Sequence, residues 1–337
     1  MAGLVHGHAG GFLNRYRNAQ DVSLVGVSEP DAAVADRYRT RFKLDPATVH
    51  RSLEAMLDAA RPEAVVVFTS TAGHLAAVKA CARRKIPVMM EKPLATTVDQ
   101  ARAIERLAAE SGIPVLVNYE TTWYASNHAA YALAKTDNAL GPIRKVVVHD
   151  GHRGPKEINV QPEFLTWLTD PEQNGAGALF DFGCYGANLM TWLMDDARPT
   201  SVTAVTRSFK PDIDSRVDDE ATIVLEYPGA QAIIQASWNW PISRKDLEIY
   251  GQTGQVLTVA QDGLRVRLSE KSPEETRTAP PLTPPADDFV RYLAAVVRHE
   301  VDPSAGLSSL RNNVIVVEIL DAARRSAAER RTIRLDP

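Results

Sequence analysis

Apolar and polar positions follow two different rhythms along this chain. Up to about residue 120, short unbroken apolar runs take turns with amphipathic stretches. Val22–Val27, Ala64–Phe68, Pro87–Met90 and Pro114–Val117 are runs of strand length, rich in β-branched residues, as expected for strands covered on both faces. Ala32–Phe42, His74–Arg84 and Val98–Ser111 read as helices, the last stopped by Gly112. This alternation predicts a parallel, doubly wound α/β sheet. Beyond residue 120 the pattern shifts to period two. Ile143–His149, Val202–Phe209, Ala221–Tyr227, Gln231–Trp238, Leu247–Gly251, Gln255–Ala260 and Leu264–Leu268 read as strands, and Tyr227-Pro228-Gly229-Ala230 as a turn between two of them. Strands joined this way predict a largely antiparallel sheet with one face left open. Two helices, Ala178–Met194 and Leu307–Ala328, interrupt it, and the proline-rich stretch Ser272–Pro285 reads as a loop.

Composition narrows the function classes. A chain of 337 residues suggests two domains. Its net charge of −4 leaves no basic excess for nucleic acid. No apolar run is long enough to span a membrane. Two cysteines, Cys81 and Cys184, make neither a disulfide framework nor a zinc cluster, which favours a reducing, cytoplasmic setting. The opening residues carry no charged, apolar leader.

Candidate chemistry sits where strands end. Gly3, Gly7, Gly10 and Gly11 crowd the start of the first helix, where backbone N–H groups can meet a phosphate. The spacing departs from G-x-G-x-x-G, since Val5 and His8 stand where the second and third glycines would, so a glycine-rich loop without a ligand is the alternative. Glu29 follows the second apolar run, 22 residues after Gly7, where a carboxylate can accept ribose hydroxyls and favour NAD over NADP. Gly3, Val5, His6, Gly7, His8 and Glu29 are therefore expected around a dinucleotide. They are joined by Thr69, Ser70, Thr71 and His74 after the third run, by Glu91 and Lys92 after the fourth, and by Asn118 after the fifth. Desolvation is expected to lower the pKa of Lys92. Asp181, Tyr185 and Asn188 fall on one face of the predicted helix, and a tyrosine near a lysine ammonium is expected to lose its proton more easily. Tyr119, His149, Asp150, His152 and Arg153 lie at strand ends and are expected to touch substrate. His6 with His8, or His149, Asp150 and His152, could hold a metal, but no carboxylate or cysteine set in the sequence completes either group, so none is expected. Trp123, Tyr124, Trp167, Trp192, Trp238 and Trp240 are expected mostly in the core, with stacking on a sugar face as the alternative.

Together Glu91-Lys92-Pro93, the run Gly175–Asn188, the strand Leu247–Gly251 with Gly254, and the helix from Asn313 to Ala328 resemble the Gfo/Idh/MocA family of nicotinamide-dependent oxidoreductases. The resemblance covers nearly the whole chain. It implies an NAD-binding Rossmann domain over residues 1–120 and a substrate-binding and oligomerising α/β domain with a large open sheet over residues 121–337. Lys92, Asp181 and Tyr185 are implied as the catalytic set, with Lys92, Asp181 and Tyr185 also touching substrate. The family often has histidine at the place of Tyr185; tyrosine there is similar to the glucose–fructose oxidoreductase and dihydrodiol dehydrogenase branches. The family's first strand starts well before the position of Gly3, whereas only Met1 and Ala2 precede it here. A shortened first strand is therefore expected, and an export signal upstream stays open.

The leading expectation is an NAD-dependent oxidoreductase of a sugar, polyol or related cyclic alcohol or ketone, working as a homodimer or homotetramer through the carboxy-terminal sheet. An enzyme that cleaves glycosides by oxidation and elimination with no net redox change is the second reading. A non-catalytic nicotinamide-binding regulator is the third.

Overall fold

A computed structural model describes residues 1–211 and 216–335. The amino-terminal strands are short. They are β1 (Val27–Ser28), β2 (Val49–His50), β3 (Val65–Val67), β4 (Val88–Glu91) and β5 (Val115–Asn118). All pair in parallel: β1 with β2, and β3 with β4 with β5. Ala2 alone fills the gap between the two groups, bridging to Ser28 on one side and Val67 on the other. The shortened first strand is thus a single residue at the centre of the sheet. Helices α1 (Ala9–Tyr16), α2 (Ala32–Phe42), α3 (Leu53–Ala60), α4 (His74–Ala82) and α5 (Val98–Ser111) connect these strands. Asp31, Ser52 and Thr97 accept backbone N–H bonds as N-caps of α2, α3 and α5. Val22–Gly26 lies outside any strand: only Val27 of that apolar run, with Ser28 after it, is paired.

The remaining elements are α6 (Ala125–Tyr131), β6 (Ile143–Gly151), α7 (Pro162–Leu168), α8 (Pro171–Asn174), α9 (Ala178–Asp181), α10 (Gly183–Leu193), β7 (Ser201–Arg207), β8 (Glu220–Glu226), β9 (Gln231–Ser237), β10 (Arg244–Gly251), β11 (Gln255–Val259), β12 (Gly263–Arg267), β13 (Glu275–Thr278), α11 (Phe289–Val297), α12 (Leu310–Glu329) and β14 (Ile333–Arg334). Nine strands make one sheet in the order β13-β12-β11-β10-β6-β9-β8-β7-β14. Only β6 and β9 run parallel. The strands read from period-two alternation are all present. β13 corrects the loop expected over Ser272–Pro285, because Glu275–Thr278 pairs with β12.

Val146, Val148 and Asp150 of β6 share a face with Leu247 and Ile249 of β10, all of them buried. Helices α10 and α12 cover that side. His149, Asp246 and Glu248 have the opposite parity and point the other way. α11 returns to the amino-terminal half, where Val290 joins the core of Leu4, Phe12 and Val27, and Leu293 and Val296 pack on Met89 and Leu116.

Candidate active site

Lys92 follows β4 in the peptide Glu91-Lys92-Pro93, whose Lys92–Pro93 bond is cis. Its ammonium donates to Asp181 Oδ1 at 2.5 Å and to the Asp181 carbonyl at 2.8 Å. Trp238 Nε1 donates to the other carboxylate oxygen, Oδ2, at 2.9 Å. Asp181 thereby holds Lys92 in place. Lys92 Nζ lies 5.0 Å from the centroid of the Tyr185 ring. The three residues expected to converge do so. Lys92 and Asp181 are each 7% exposed and Tyr185 is 2% exposed, so the charge pair sits out of bulk water.

The predicted single helix is two helices. Phe182 breaks it (φ −107°, ψ −33°), with Asp181 closing α9 and Tyr185 in the first turn of α10. Asp181 and Tyr185 therefore do not share one helical face. Asn188 turns away from the site and donates to Asn312 Oδ1 and the Leu307 carbonyl. The start of α9 is fixed from a distant loop: Gly177 N and Leu179 N donate to the two carboxylate oxygens of Asp218 at 2.9 and 2.7 Å. A Cβ on Gly177 would stand 1.8 Å from the Asp218 carbonyl oxygen, so only glycine fits.

Two pKa expectations are corrected. Burial presses the Lys92 ammonium downward, but the Asp181 carboxylate overrides it and the net shift is upward. Burial drives the Tyr185 phenol well above its ordinary value, and the carboxylates of Glu120, Asp181 and Glu91 push the same way. Tyr185 is a protonated phenol in this site. Asp181 stays ionised: burial acts upward, yet Lys92 takes its pKa below the ordinary value.

Lys245 is a site residue that the sequence pattern alone does not single out. It stands opposite Asp150 across β10 and β6, on the covered face. The signal lies in strand parity: Lys245 has the parity of Leu247 and Ile249, and Asp150 that of Val146 and Val148. Lys245 Nζ lies 4.8 Å from the Tyr185 ring centroid and pairs with Glu120, just past β5. Tyr124 Oη donates to the other oxygen of Glu120 at 2.5 Å.

The remaining substrate expectations divide. His152 belongs to the site, with its ring edge against Phe182 at 4.8 Å and its pKa lowered by burial. His149 does not: it faces the open side of the sheet, paired with Asp246 at 3.1 Å, because one residue along a strand reverses the side chain. Arg153 is exposed, and it is its carbonyl that is used, accepting from Lys210. Tyr119 is wholly buried behind Tyr185, ring edge to ring at 5.4 Å, and so does not face substrate.

The glycine-rich turn has the geometry for a dinucleotide. Gly3 has φ +81°, and a Cβ there would meet Thr69 at 2.8 Å and the Phe68 carbonyl at 2.9 Å. His8, the residue before α1, gives no side-chain cap; the Ala9 amide donates to the His6 carbonyl at 3.0 Å, which leaves the Gly10 and Gly11 amides as the first-turn donors an anion could use. Glu29 follows β1, beside the turn. Its two carboxylate oxygens accept from Leu4 N (2.8 Å) and Asp31 N (2.9 Å), so it also braces the turn. Val5 contributes its carbonyl to Trp167 Nε1 of α7 at 3.1 Å, and the Phe164 ring covers Gly7. Ser70 and Thr71 bond Gln173 and Asn174 of α8, Thr69 bonds the Ser70 carbonyl, and His74 Nδ1 meets the Leu94 carbonyl. These four shape the rim, with their side-chain bonds directed to the protein.

Glu91 is buried between His8 (3.2 Å) and Asn118 (3.0 Å), with His6 Nε2 at 4.0 Å. Burial opposes its charge, but the two histidines and these hydrogen bonds take its pKa down to about 2. Burial takes His6 down to about 3, whereas Glu91 outweighs burial at His8 and raises it. Glu91, far away in sequence, is the carboxylate that the His6 and His8 pattern lacked, and the three ligand atoms lie within 4.8 Å. The bond from His8 N–H to His6 Nδ1 assigns the ring proton of His6 to Nε2, facing Glu91. The cluster is thus satisfied as an imidazole–carboxylate group.

Known proteins share this fold. Residues 3–119 match the model of an oxidoreductase family with an NAD-binding Rossmann fold, and residues 128–257 match the GFO/IDH/MocA C-terminal domain. The D-apiose dehydrogenase of Paraburkholderia graminis is 24% identical over 343 residues, covering 96% of this chain and 86% of that protein. An inositol dehydrogenase homologue from Azotobacter vinelandii, solved with NAD+, superposes with TM-score 0.83 at 20% identity, over 99% of this chain and 97% of that one. An aldose-aldose oxidoreductase from Caulobacter crescentus, solved with glycerol, gives 0.82 at 24% identity, over 99% and 98%.

Proposed function

The chain belongs to the Gfo/Idh/MocA family of NAD-dependent oxidoreductases, and from that premise we propose that it interconverts a hydroxyl and a carbonyl on a sugar or polyol, using Lys92 and Tyr185. The observation that carries this reading is the meeting of Lys92, Asp181 and Tyr185 at the domain junction. NAD, held at the glycine turn and the rim of β3 and β4, supplies the hydride chemistry when bound. An ammonium has three donors, and Asp181 takes two, leaving one for the reacting oxygen. Lys92 polarises that oxygen, and Tyr185 Oη carries its proton. Because Tyr185 rests as a neutral phenol, it is ready to donate a proton to a carbonyl; alcohol oxidation first requires its proton to leave. Asp181 and Trp238 position Lys92.

The relatives named for apiose and inositol support a polyhydroxylated substrate. We further propose self-association through the open face of the large sheet, where Val205 and Val259 are 55% and 48% exposed.

The test is a panel of aldoses, ketoses and inositols with NAD+ or NADH, read at the nicotinamide absorbance. The expected result is reversible, stoichiometric conversion that Lys92→Met and Tyr185→Phe abolish. Full turnover in either variant would overturn the assignment.

A further inference from the structure

Two ammonium groups lie against Tyr185, and the reaction as described above uses only one. Lys92 Nζ is 5.0 Å from the ring centroid and Lys245 Nζ is 4.8 Å from it. The two cations are held differently. Lys92 and its counter-ion Asp181 are both sealed from water, with side chains 7% and 9% exposed. Lys245 pairs with Glu120, and those side chains are 22% and 41% exposed. The carboxylate is the wetter partner, so solvent screens its charge more than that of the ammonium over the ring. Asp150 stands opposite Lys245 in the strand register, but burial drives its carboxyl well above the ordinary pKa, so it adds no opposing charge. The other groups around the phenol are matched or neutral. Glu91 is ionised and paired with His8. Burial pushes the Cys184 thiol up to about 12, raises Tyr119 and lowers His152, which keeps all three uncharged. From β9 and α12 the nearby polar partners are Trp238 and Asn312, and neither titrates.

We propose that Lys245 is a positioning residue of the reaction, its ammonium stabilising the Tyr185 phenolate across the ring while Glu120 sets how strongly it does so. The inference deepens the reading above and rests on Tyr185 as the proton carrier. In the oxidising direction the phenol first loses its proton to solvent. The substrate C–H bond then gives its hydride to NAD+ and the O–H bond gives its proton to the phenolate oxygen, leaving a carbonyl, NADH and a neutral phenol. A phenolate spreads its charge into the ring, so an ammonium 4.8 Å from the centroid attracts it far more than it attracts the neutral ring. Lys245 thereby lowers the cost of reaching the phenolate. Glu120 opposes it, because its own charge favours the neutral phenol. Removing the cation and removing its carboxylate therefore move the reaction in opposite directions. An ion pair that served only as a brace would weaken the site whichever partner was lost.

The experiment uses the full chain as wild type, Lys245→Met, Lys245→Arg, Glu120→Gln and Tyr185→Phe. Its substrates are D-glucose, D-xylose, glycerol and myo-inositol with NAD+. The oxidation rate is followed from neutral to alkaline pH, with melting temperature and calorimetric NAD+ affinity as readouts independent of turnover. In Lys245→Met the rising limb of the rate is expected at higher pH, so that the rate at a fixed pH falls about 10- to 100-fold. In Glu120→Gln, whose amide oxygen can still accept from Lys245, the limb is expected at lower pH and the fixed-pH rate rises about 3- to 10-fold. Lys245→Arg keeps the cation and is expected to stay within about 3-fold of the wild type. NAD+ affinity is expected to hold in these three variants. An unmoved limb in Lys245→Met or in Glu120→Gln overturns the proposal. A limb moved to higher pH in Glu120→Gln, or Lys245→Arg as slow as Lys245→Met, overturns it in favour of a structural brace. If Lys245→Met shows no melting transition, the sign of the displacement in Glu120→Gln decides. Full turnover in Tyr185→Phe, or a wild type that binds NAD+ and oxidises none of the four substrates, overturns the reading of Tyr185 as proton carrier, and this one with it.

Discussion

The two sheets of this protein hold their parts of the site by different means. In the nine-stranded sheet, registers run unbroken for seven residues in β7–β8, β8–β9 and β6–β9. Strand parity alone then decides which side chain faces the site, which is why Lys245 enters it and His149 leaves it. In the amino-terminal sheet no strand exceeds four residues, and the centre is Ala2 alone. Position there depends on side-chain braces: Glu29 on Leu4, Trp167 on Val5, Phe164 over Gly7, and Asp288 gathering Arg15 and Tyr16. One half is specified by backbone ladders and the other by scattered tertiary contacts. Perturbations should therefore separate the two.

The largest expected effect is on turnover. Lys92→Met and Tyr185→Phe should each lower kcat at least about 10³-fold, the scale of losing a positioned proton carrier or charge. Coenzyme affinity by calorimetry should stay within a few-fold. A parallel collapse of NAD+ binding would show that the halves are not separable. Next is Gly3→Val, which combines a positive φ with contacts of 2.8 and 2.9 Å. It should cost about 2–4 kcal/mol and abolish NAD+ binding, with hydrogen exchange accelerated in the amino-terminal sheet and unchanged in β6–β9.

Acid should sharpen the contrast. His6 and His74 have folded pKa values lowered to about 3 and about 4 by burial, so the folded state refuses protons that the unfolded chain accepts below about pH 6.5. Stability from these two groups is full above pH 6.5 and falls as the pH drops toward 4. The slope approaches about 1.4 kcal/mol per pH unit for each. His6→Phe should flatten that slope by about one proton, measured by urea unfolding at several pH values. Asp218 in the other half has its folded pKa raised to about 6. It binds its proton in the folded state first, so its contribution grows as the pH falls through 6. Catalysis has its own sign: the raised Tyr185 pKa predicts that alcohol oxidation speeds up with rising pH while carbonyl reduction does not. An oxidation rate that falls with pH would remove the phenol from proton transfer.

The smallest effect concerns the contact of α7 with the glycine-rich turn. Trp167→Phe removes the bond to the Val5 carbonyl, worth about 1 kcal/mol, and should speed NAD+ release by about 5-fold in stopped-flow displacement. No change would show that α7 does not restrain the coenzyme.

Much of this was legible in the sequence, for reasons that trace to particular residues. Unbroken valines at 65–67 and the alternation at 222–227 marked the two sheets, and Glu91-Lys92-Pro93 with Gly175–Asn188 marked the chemistry. What was missed depends on burial or on distant partners. The pKa of Lys92 is set by Asp181, which the chain brings from 89 positions away. The break at Phe182 leaves no proline or cap to read. α7 spans only seven residues, too few for a clear period. Glu29 was correctly placed near the turn, but nothing local shows that Leu4 and Asp31 claim its oxygens.

Asp218 carries a practical lesson for protein engineering. The stretch 175–188 looks like a portable cassette, yet its geometry is dictated by a carboxylate beyond its end and by the indole of Trp238. Transplanting that cassette into another scaffold would deliver the right letters in a wrong shape unless the loop around 218 and the tail of β9 travelled with it.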